Sequence, residues 1–321
     1  MNTQNNNTII FTISRMNPPT PGHLLLIKKL IEEAIRQNVS KVYVILSKTN
    51  DNNENPIDCQ EKINILGKTD NNMNNMNNMV LSLKNQMKTD LERQELEPSI
   101  LQNIRNKIDR TEVFFICVSP SQLSPIFPLY DIVRNYSEIP NLNLFMIVGD
   151  DRADFLDTIV DSFLFKMPNV ASVNGQILER EDMAAFKNLS PEQLSTISIE
   201  EMPVSAFSAS FVRKLVKLGM KDKFDDVYRP YLRQEQINHL YEIISEGLNK
   251  PEPKVKSTKP KPPKYIYPII RGDEQYNQKM EENKLKALKK TEKTKKGGKN
   301  KRRKTYRKTR ISKKIRKARK Y

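Results

Sequence analysis

Three short polar motifs hold the residues best suited to chemistry. They are Thr20-Pro21-Gly22-His23, Gly149-Asp150-Asp151-Arg152 and Ser208-Ala209-Ser210-Phe211-Val212-Arg213. We expect each to lie where a strand ends and a helix begins, and open α/β sheets bind ligands outside the carboxyl ends of their strands. Unpaired N–H groups and the helix dipole make a helix start attractive to phosphate. This placement favours a shared site for a ligand that carries phosphate.

The first motif has the clearest helix start. It follows the β-branched run Thr8–Ile13 and precedes Leu24–Ile35, where apolar residues recur at helical spacing. Thr20 is a good N-cap, and Gly22 has no side chain to keep a ligand from the backbone. His23 then lies in the first turn. A surface histidine on a capped helix would explain the same residues without a ligand.

The other two motifs also have a purely structural interpretation. Asp150 or Asp151 could cap the helix that follows, and Ser208 or Ser210 could cap the last helix of the sheet. A motif gains weight when its order, spacing and structural context agree with those of others. In this sequence the order, the spacing and the expected structural context of the three motifs agree.

Taken in order, the motifs resemble those of the cytidylyltransferase-like nucleotidyltransferase superfamily. Arg15–His23 looks like the GRFNPPTxGH form of phages and large viruses, with Ser14 for the usual glycine and Met16 for phenylalanine. Val148–Phe155 is similar to the vGSDRxxeF segment of that branch. Ser208–Arg213 is similar to the closing Sx(S/T)xxR motif.

The loop after the second predicted strand supports the same resemblance. It can be laid onto the pattern Ser-x-Thr-x-Asp…Lys-Asn-Pro-Leu…Lys, although Glu54 stands where a lysine is usual. The matching residues are Ser47, Thr49, Asp51, Asn55, Pro56, Ile57 and Lys62. For each residue alone, a solvated connection is the plainer interpretation. The resemblance covers about residues 8–245, apart from an insertion near 68–110.

The resemblance implies a nucleotidyltransferase. Such an enzyme would transfer AMP or CMP from an NTP to a phosphorylated small-molecule acceptor and release pyrophosphate. In-line attack on the α-phosphorus is catalysed mainly by positioning and charge neutralisation. Mg²⁺ would arrive with the NTP, since no dedicated carboxylate cage is visible in the sequence.

The resemblance also implies roles for single residues. His23 would donate to the α-phosphate in the transition state, with Thr20 in place of the family's alternative histidine and Arg213 pairing with the departing phosphates. Ser208 and Ser210 would hold the β- and γ-phosphates. The remaining nucleotide-binding residues implied are Arg15, which would assist at the phosphates, Gly22, and the pair Gly149 and Asp151, which would contact base or ribose or help place the acceptor.

Alternating strands and helices predict a doubly wound, Rossmann-like parallel sheet with helices on both faces. The predicted strands are Thr8–Ile13, Lys41–Ser47, Glu112–Val118 and Leu142–Val148, with Asn169–Val173 and Thr196–Ile199 as short candidates. Helices are predicted over Leu24–Ile35, Asp58–Leu66, Val80–Arg110 with a break at Pro98, Ser124–Arg134, Ser208–Leu218 and Gln234–Ile244. Another helix is predicted after Arg152, ending at about Val160. The low-complexity stretch Thr69–Met79 predicts a disordered insertion that buries no core.

Charge divides the chain into two parts. The whole sequence has 55 Lys and Arg against 38 Asp and Glu, of which residues 250–321 hold 29 against 6. Residues 1–249 are therefore mildly acidic, and we interpret them as the nucleotidyltransferase domain with an insertion at about 68–110. Residues 250–321 are interpreted as a Pro/Lys-rich linker and a disordered basic tail.

The cysteines and apolar runs bear on the setting of the protein. Cys59 and Cys117 stand far apart with no CxxC pattern, so we expect neither a zinc site nor a disulfide framework and favour a reducing compartment. No apolar run is long enough to cross a membrane. The expectation is an intracellular, soluble protein without a membrane partner. The basic, glycine-punctuated tail resembles those of large DNA viruses, which suggests the host cytoplasm or the virion.

A second class of function stays open. The chain could be a nucleic-acid-binding or packaging protein that works through its tail and keeps a vestigial transferase core. Intact Thr20/His23 and Ser208/Arg213 pairs argue against such decay. The nucleotide base, the acceptor and the oligomeric state are left open by the sequence.

Overall fold

A five-stranded sheet forms the centre of the structure, which is a computed structural model. Its strands are β1 Thr8–Ser14, β2 Lys41–Leu46, β3 Glu112–Cys117, β4 Leu142–Gly149 and β5 Val170–Leu178. They lie in the order β3-β2-β1-β4-β5, and every neighbouring pair is parallel. This confirms the predicted doubly wound, Rossmann-like α/β fold.

The structure describes residues 7–47, 55–67, 78–119, 122, 124–149, 153–164, 166–179, 186 and 188–249. The predicted linker and tail at 250–321 lie outside these ranges. So do Asp150, Asp151 and Arg152 of the second motif, and residues 68–77 of the low-complexity stretch.

Ten helices lie in the described part of the chain. They are α1 Pro21–Gln37, α2 Cys59–Leu66, α3 Met79–Glu92, α4 Pro98–Arg110, α5 Phe127–Arg134, α6 Asp154–Phe163, α7 Pro191–Thr196, α8 Ala209–Lys217, α9 Lys221–Tyr228 and α10 Gln234–Asn249, with a single 3-10 turn at Val204–Ala206. None of them is long and apolar enough to cross a membrane.

Two apolar cores cover the two faces of the sheet. Side chains alternate across β1, so Ile10 belongs to one core and Phe11 to the other. The first core includes residues of α1, α3 and α8–α10, and the second includes residues of α5 and α6. Strands covered on both faces are apolar along most of their length, which is why the sequence revealed them.

The order of the strands places a switch point between β1 and β4. The chain moves outward from β1 through β2 to β3 on one side, and from β4 to β5 on the other. The helices that follow β1 and β4 therefore pack on opposite faces of the sheet, and in open α/β sheets ligands bind at such a switch point. The first two motifs follow these two strands.

One predicted strand and one predicted boundary were wrong. Thr196–Ile199 is not a strand, because Ser190 caps α7 in a capping box with Gln193 and Thr196 ends that helix. The low-complexity stretch does not extend to Met79 as an insertion without core contacts. Asn78 caps α3 by accepting from the Leu81 N–H at 2.8 Å, and Met79 is completely buried.

The cysteines also contradict the sequence-based expectation. Cys59 at the start of α2 and Cys117 at the end of β3 form a disulfide, with a Cα–Cα distance of 5.9 Å across 58 positions of sequence. Sequence spacing gives no hint of this pair, because β3 returns to the side of α2 only after α3 and α4. The argument from the cysteines for a reducing compartment therefore fails.

Candidate functional site

The loop between β1 and α1 is fixed through Asn17. This residue is 2% exposed and follows Met16, whose φ of 41° is left-handed. The Asn17 Nδ2 donates to the Ile57 carbonyl at 2.7 Å, and the Ile57 N–H donates to Asn17 Oδ1 at 3.0 Å. The Asn17–Pro18 peptide bond is cis. Asn17 thus pairs with the backbone of the segment before α2 as another strand would.

Thr20 and His23 act together at the start of α1. The Thr20 main-chain N–H donates to His23 Nδ1 at 3.1 Å, and the Thr20 hydroxyl lies 2.9 Å from the same nitrogen. Because a main-chain N–H can only donate, Nδ1 accepts, and the proton of the neutral ring lies on Nε2. Thr20 is completely buried, whereas His23 is partly exposed. Thr20 therefore orients His23, and His23 keeps a donor on its other nitrogen.

Gly22 permits a close approach to its backbone, but the approaching group is another part of the protein and not a ligand. A Cβ atom on Gly22 would lie 2.8 Å from the Phe207 carbonyl oxygen and 3.5 Å from that of Val204. The first turn of α1 consequently packs against the 3-10 turn that leads into α8. In the sequence Gly22 was interpreted as making room for a ligand. Here it makes room for the segment that carries Ser208.

The start of α8 presents two hydroxyls beside this contact. Ser208 Oγ accepts from the Phe211 N–H at 3.2 Å and lies 3.2 Å from Ser210 Oγ. Ser208 is thus the N-cap of α8, as the structural interpretation of the motif expected. One turn later, Arg213 Nη1 donates to the Asn17 carbonyl at 2.6 Å. The structure therefore brings the third motif into direct contact with the loop that precedes the first motif.

A buried lysine contacts the carboxyl end of β2. Lys62 on α2 is completely buried, and its Nζ donates to the Ser47 carbonyl at the end of β2 at 3.1 Å. Burial lowers the pKa of Lys62 to about 8, with Asp58 opposing and the charge of Arg15 adding to the shift. Arg15, which follows β1, is exposed. Two cations thus lie near the carboxyl ends of β1 and β2.

The second motif is described only at its first residue. Gly149 ends β4 in register with Leu178 and is partly exposed. Asp151 lies outside the described residues, so its predicted role stays a prediction. Gly149 ends the strand next to β1, at the switch point of the sheet.

One functional candidate was missed in the sequence entirely. Tyr228 on α9 is completely buried, and its hydroxyl donates to the Pro19 carbonyl at 2.6 Å. Burial raises the pKa of this hydroxyl well above its ordinary value, so it remains a donor. Tyr228 lies 209 positions from Pro19, and no local pattern announces such a contact. Asn17 lies three residues before the first motif, and its pairing with Ile57 had no signal in the sequence.

The arrangement suits a polyanion. Arg15, His23 and Arg213 supply cationic or donor groups, and the two serines with the α8 start supply hydroxyls and N–H groups. Across the described ranges, no three His, Cys, Asp or Glu side chains are grouped as a metal site would need. A cavity of about 360 Å³ lies at the other end of the strands, beside Thr8 and Asn143, and includes none of the motif residues.

Comparison with known proteins adds no family assignment. No model of a known protein family matches the chain, and no curated protein or solved structure matches it. The likeness to nucleotidyltransferases therefore rests on the motif residues.

Replacing Gly22 with alanine tests the contact between the first motif and the segment that enters α8. Alanine favours a helix by about 1 kcal/mol over glycine, so propensity alone would raise the free energy of unfolding. The clash with the Phe207 carbonyl cannot be relieved by a side-chain rotation. We expect Gly22→Ala to lower the free energy of unfolding by about 1–3 kcal/mol in urea denaturation. A variant as stable as the wild type would contradict this close packing.

Lys62 predicts a dependence of stability on pH. Its pKa is about 8 in the folded chain against an ordinary 10.5, so between these values the unfolded chain binds more protons. The free energy of unfolding should therefore rise from pH 8 to 10.5, by on the order of 2–3 kcal/mol from this group. Urea denaturation of wild type and Lys62→Met across this range measures it. Equal slopes in the two proteins would refute the assignment, since the other titrating groups are shared.

Proposed function

We propose that the chain is a nucleotidyltransferase that transfers AMP or CMP from an NTP to a phosphorylated small-molecule acceptor and releases pyrophosphate. The observation that carries this proposal is the meeting of two helix starts. The α1 start with His23 lies against the segment that enters α8, and Arg213 of α8 binds the loop that precedes α1. Donors from both ends of the described chain thus converge beside the switch point of the sheet.

The reaction would need little covalent help from the protein. An oxygen of the acceptor phosphate attacks the α-phosphorus, a new P–O bond forms, and the bond to the bridging oxygen of the β-phosphate breaks. Negative charge builds on the α-phosphate oxygens and on the departing pyrophosphate. A site for this chemistry must hold the triphosphate in line and supply donors where charge develops.

The residues fit these demands as follows. The Nε2–H group of His23 would donate a hydrogen bond to an α-phosphate oxygen, while Thr20 holds the opposite side of the ring. Arg213, with Ser208 and Ser210, would bind the β- and γ-phosphates and stabilise them as they leave. Arg15 would assist at the phosphates.

The remaining groups would complete substrate binding. Gly149 and Asp151 would contact the base or ribose, or help to place the acceptor. Mg²⁺ would be bound by the triphosphate itself and enter with it.

Incubation with labelled ATP or CTP against a panel of phosphorylated acceptors tests the activity directly. Pyrophosphate released from the γ-labelled nucleotide identifies the base, and the product labelled from the α-labelled nucleotide identifies the acceptor. No pyrophosphate with either nucleotide and any acceptor would count against the proposal.

Two substitutions test the roles within the site. His23→Ala removes a donor that acts mainly in the transition state, so we expect kcat to fall by about 10²–10³ with little change in the KM for NTP. Arg213→Ala should raise that KM as well as lower kcat, because a phosphate-binding cation also acts in the ground state. His239→Ala is the matched control: His239 is exposed and lies 3.7 Å from Glu61 on α2. Unimpaired transfer by His23→Ala would overturn the mechanism.

The basic tail favours a second, additional function. Beyond Glu292 the sequence contains 17 Lys and Arg and no acidic residue. We propose that this run binds nucleic acid or another polyanion without sequence preference, by releasing counterions. Truncation after Asn249 should abolish the binding and leave turnover intact, and binding by the full chain should weaken steeply between 50 and about 200 mM salt. A truncated protein with full affinity in a gel-shift assay would show that the tail is not the binding element.

A further inference from the structure

Hydrogen bonds from three other segments of the chain hold the loop that precedes Thr20 and His23. We call residues 16–19 the site loop. The Asn17 side chain pairs with the Ile57 backbone, the Asn17 carbonyl accepts from Arg213, and the Pro19 carbonyl accepts from Tyr228. The loop continues directly into Thr20 and His23. Its position therefore sets where the His23 ring and the Arg213 guanidinium lie.

The Asn17–Ile57 pair lies close in sequence to the disulfide. Ile57 lies two positions before Cys59, the first residue of α2, and Cys59 is bonded to Cys117 at the end of β3. Helix α2 has only eight residues, too few to be stable without tertiary contacts. The disulfide attaches its first turn to the sheet, whereas the bond from Lys62 to Ser47 attaches its second.

We propose that Asn17 is a positioning residue of the site and that, through Ile57, it makes the geometry of the site depend on the redox state of the Cys59–Cys117 pair. The catalytic consequence rests on the proposed function, whereas the structural link does not. With the disulfide formed, the segment before α2 is held beside the site loop. With two thiols, its anchor at the first turn of α2 is lost, and the Asn17–Ile57 pair loosens.

The redox step needs a thiol reductant. A reductant thiolate attacks one sulfur, the S–S bond breaks, and a second reductant thiol resolves the mixed disulfide. Cys59 and Cys117 each gain one electron and one proton, and the reductant is oxidised to its own disulfide. Both cysteines are partly exposed, so a small thiol can reach them.

Tyr228 provides a matched contrast within the same loop. Its hydroxyl fixes Pro19 from α9, and neither Tyr228 nor α9 is bonded to α2. Removing this hydroxyl disturbs the site loop without touching the link to the disulfide. If the site loop were merely unstable, Asn17→Ala and Tyr228→Phe would alter the response to reduction in the same way. If Asn17 links the loop to the disulfide, only Asn17→Ala should abolish that response.

Amide hydrogen exchange tests the structural link without any need for activity. The Ile57 N–H donates to Asn17 Oδ1, so its exchange rate reports this pair directly. In the full chain at pH 7, we expect reduction by dithiothreitol to speed Ile57 exchange at least about tenfold, with the amides of β1 unchanged. The variant Cys59→Ser/Cys117→Ser should show the same fast exchange without reductant. Equal exchange rates in the oxidised and reduced chains would overturn the proposal.

Turnover in both redox states then tests the positioning role. We expect reduction to lower kcat of the wild type about three- to tenfold, with the folded fraction unchanged by circular dichroism. Asn17→Ala should be slow in both states and respond to reduction less than about twofold, because the link is already cut. Tyr228→Phe should be slower than the wild type yet keep the full redox response.

The outcomes separate the two proposals. Asn17→Ala that responds to reduction as the wild type does would overturn the positioning role. A chain that shows the exchange effect but transfers no nucleotide in either state would refute the nucleotidyltransferase assignment and retain the link. Tyr228→Phe that loses its redox response would show a generally fragile loop and count against Asn17 as the specific link.

Discussion

The site depends on the close approach of two backbones, at Gly22 and Phe207. The first turn of α1 and the 3-10 turn before α8 come from opposite ends of the described chain, yet a Cβ atom on Gly22 would lie 2.8 Å from the Phe207 carbonyl oxygen. Any side chain at this position would push the two helix starts apart. Their separation decides whether His23 and Ser208 can face one ligand. The absence of a side chain at one residue is thus the condition for the rest of the arrangement.

Two cations near the carboxyl end of the sheet donate to main-chain carbonyls. Arg213 donates to the Asn17 carbonyl, and Lys62 donates to the Ser47 carbonyl. For Lys62, burial disfavours the charged form and lowers its pKa. An edge of the sheet that holds such cations is electrostatically suited to an anionic ligand. This charge distribution is one of the physical arguments for the nucleoside triphosphate that we propose as the ligand.

The parts of the fold that the sequence revealed share a physical cause. Strands buried on both faces must be apolar along their length, so β1 to β4 were recognisable as continuous runs. The helix starts at Thr20, Asp58 and Ser208 were recognisable because capping is a local interaction within four residues. The predicted strand Thr196–Ile199 was wrong, because Thr196 ends α7. The start of α7 carries a local signal of the same kind, the capping box of Ser190 and Gln193.

The remaining features were decided by tertiary structure alone. The sequence by itself determined the parallel sheet, the helix starts, the positions of the first two motifs after β1 and β4, and the division of charge between residues 1–249 and 250–321. The expectation that the third motif also follows a strand was wrong, because Ser208 follows the 3-10 turn Val204–Ala206. The sequence could not determine that Thr20 orients His23 rather than facing a ligand, that Gly22 accommodates Phe207, that Asn17 pairs with Ile57, or that Tyr228 supports Pro19. It also could not reveal the Cys59–Cys117 disulfide. Patterns in a sequence report interactions between near neighbours, whereas most of these contacts join residues 40 to 209 positions apart and exist only once the sheet has brought them together.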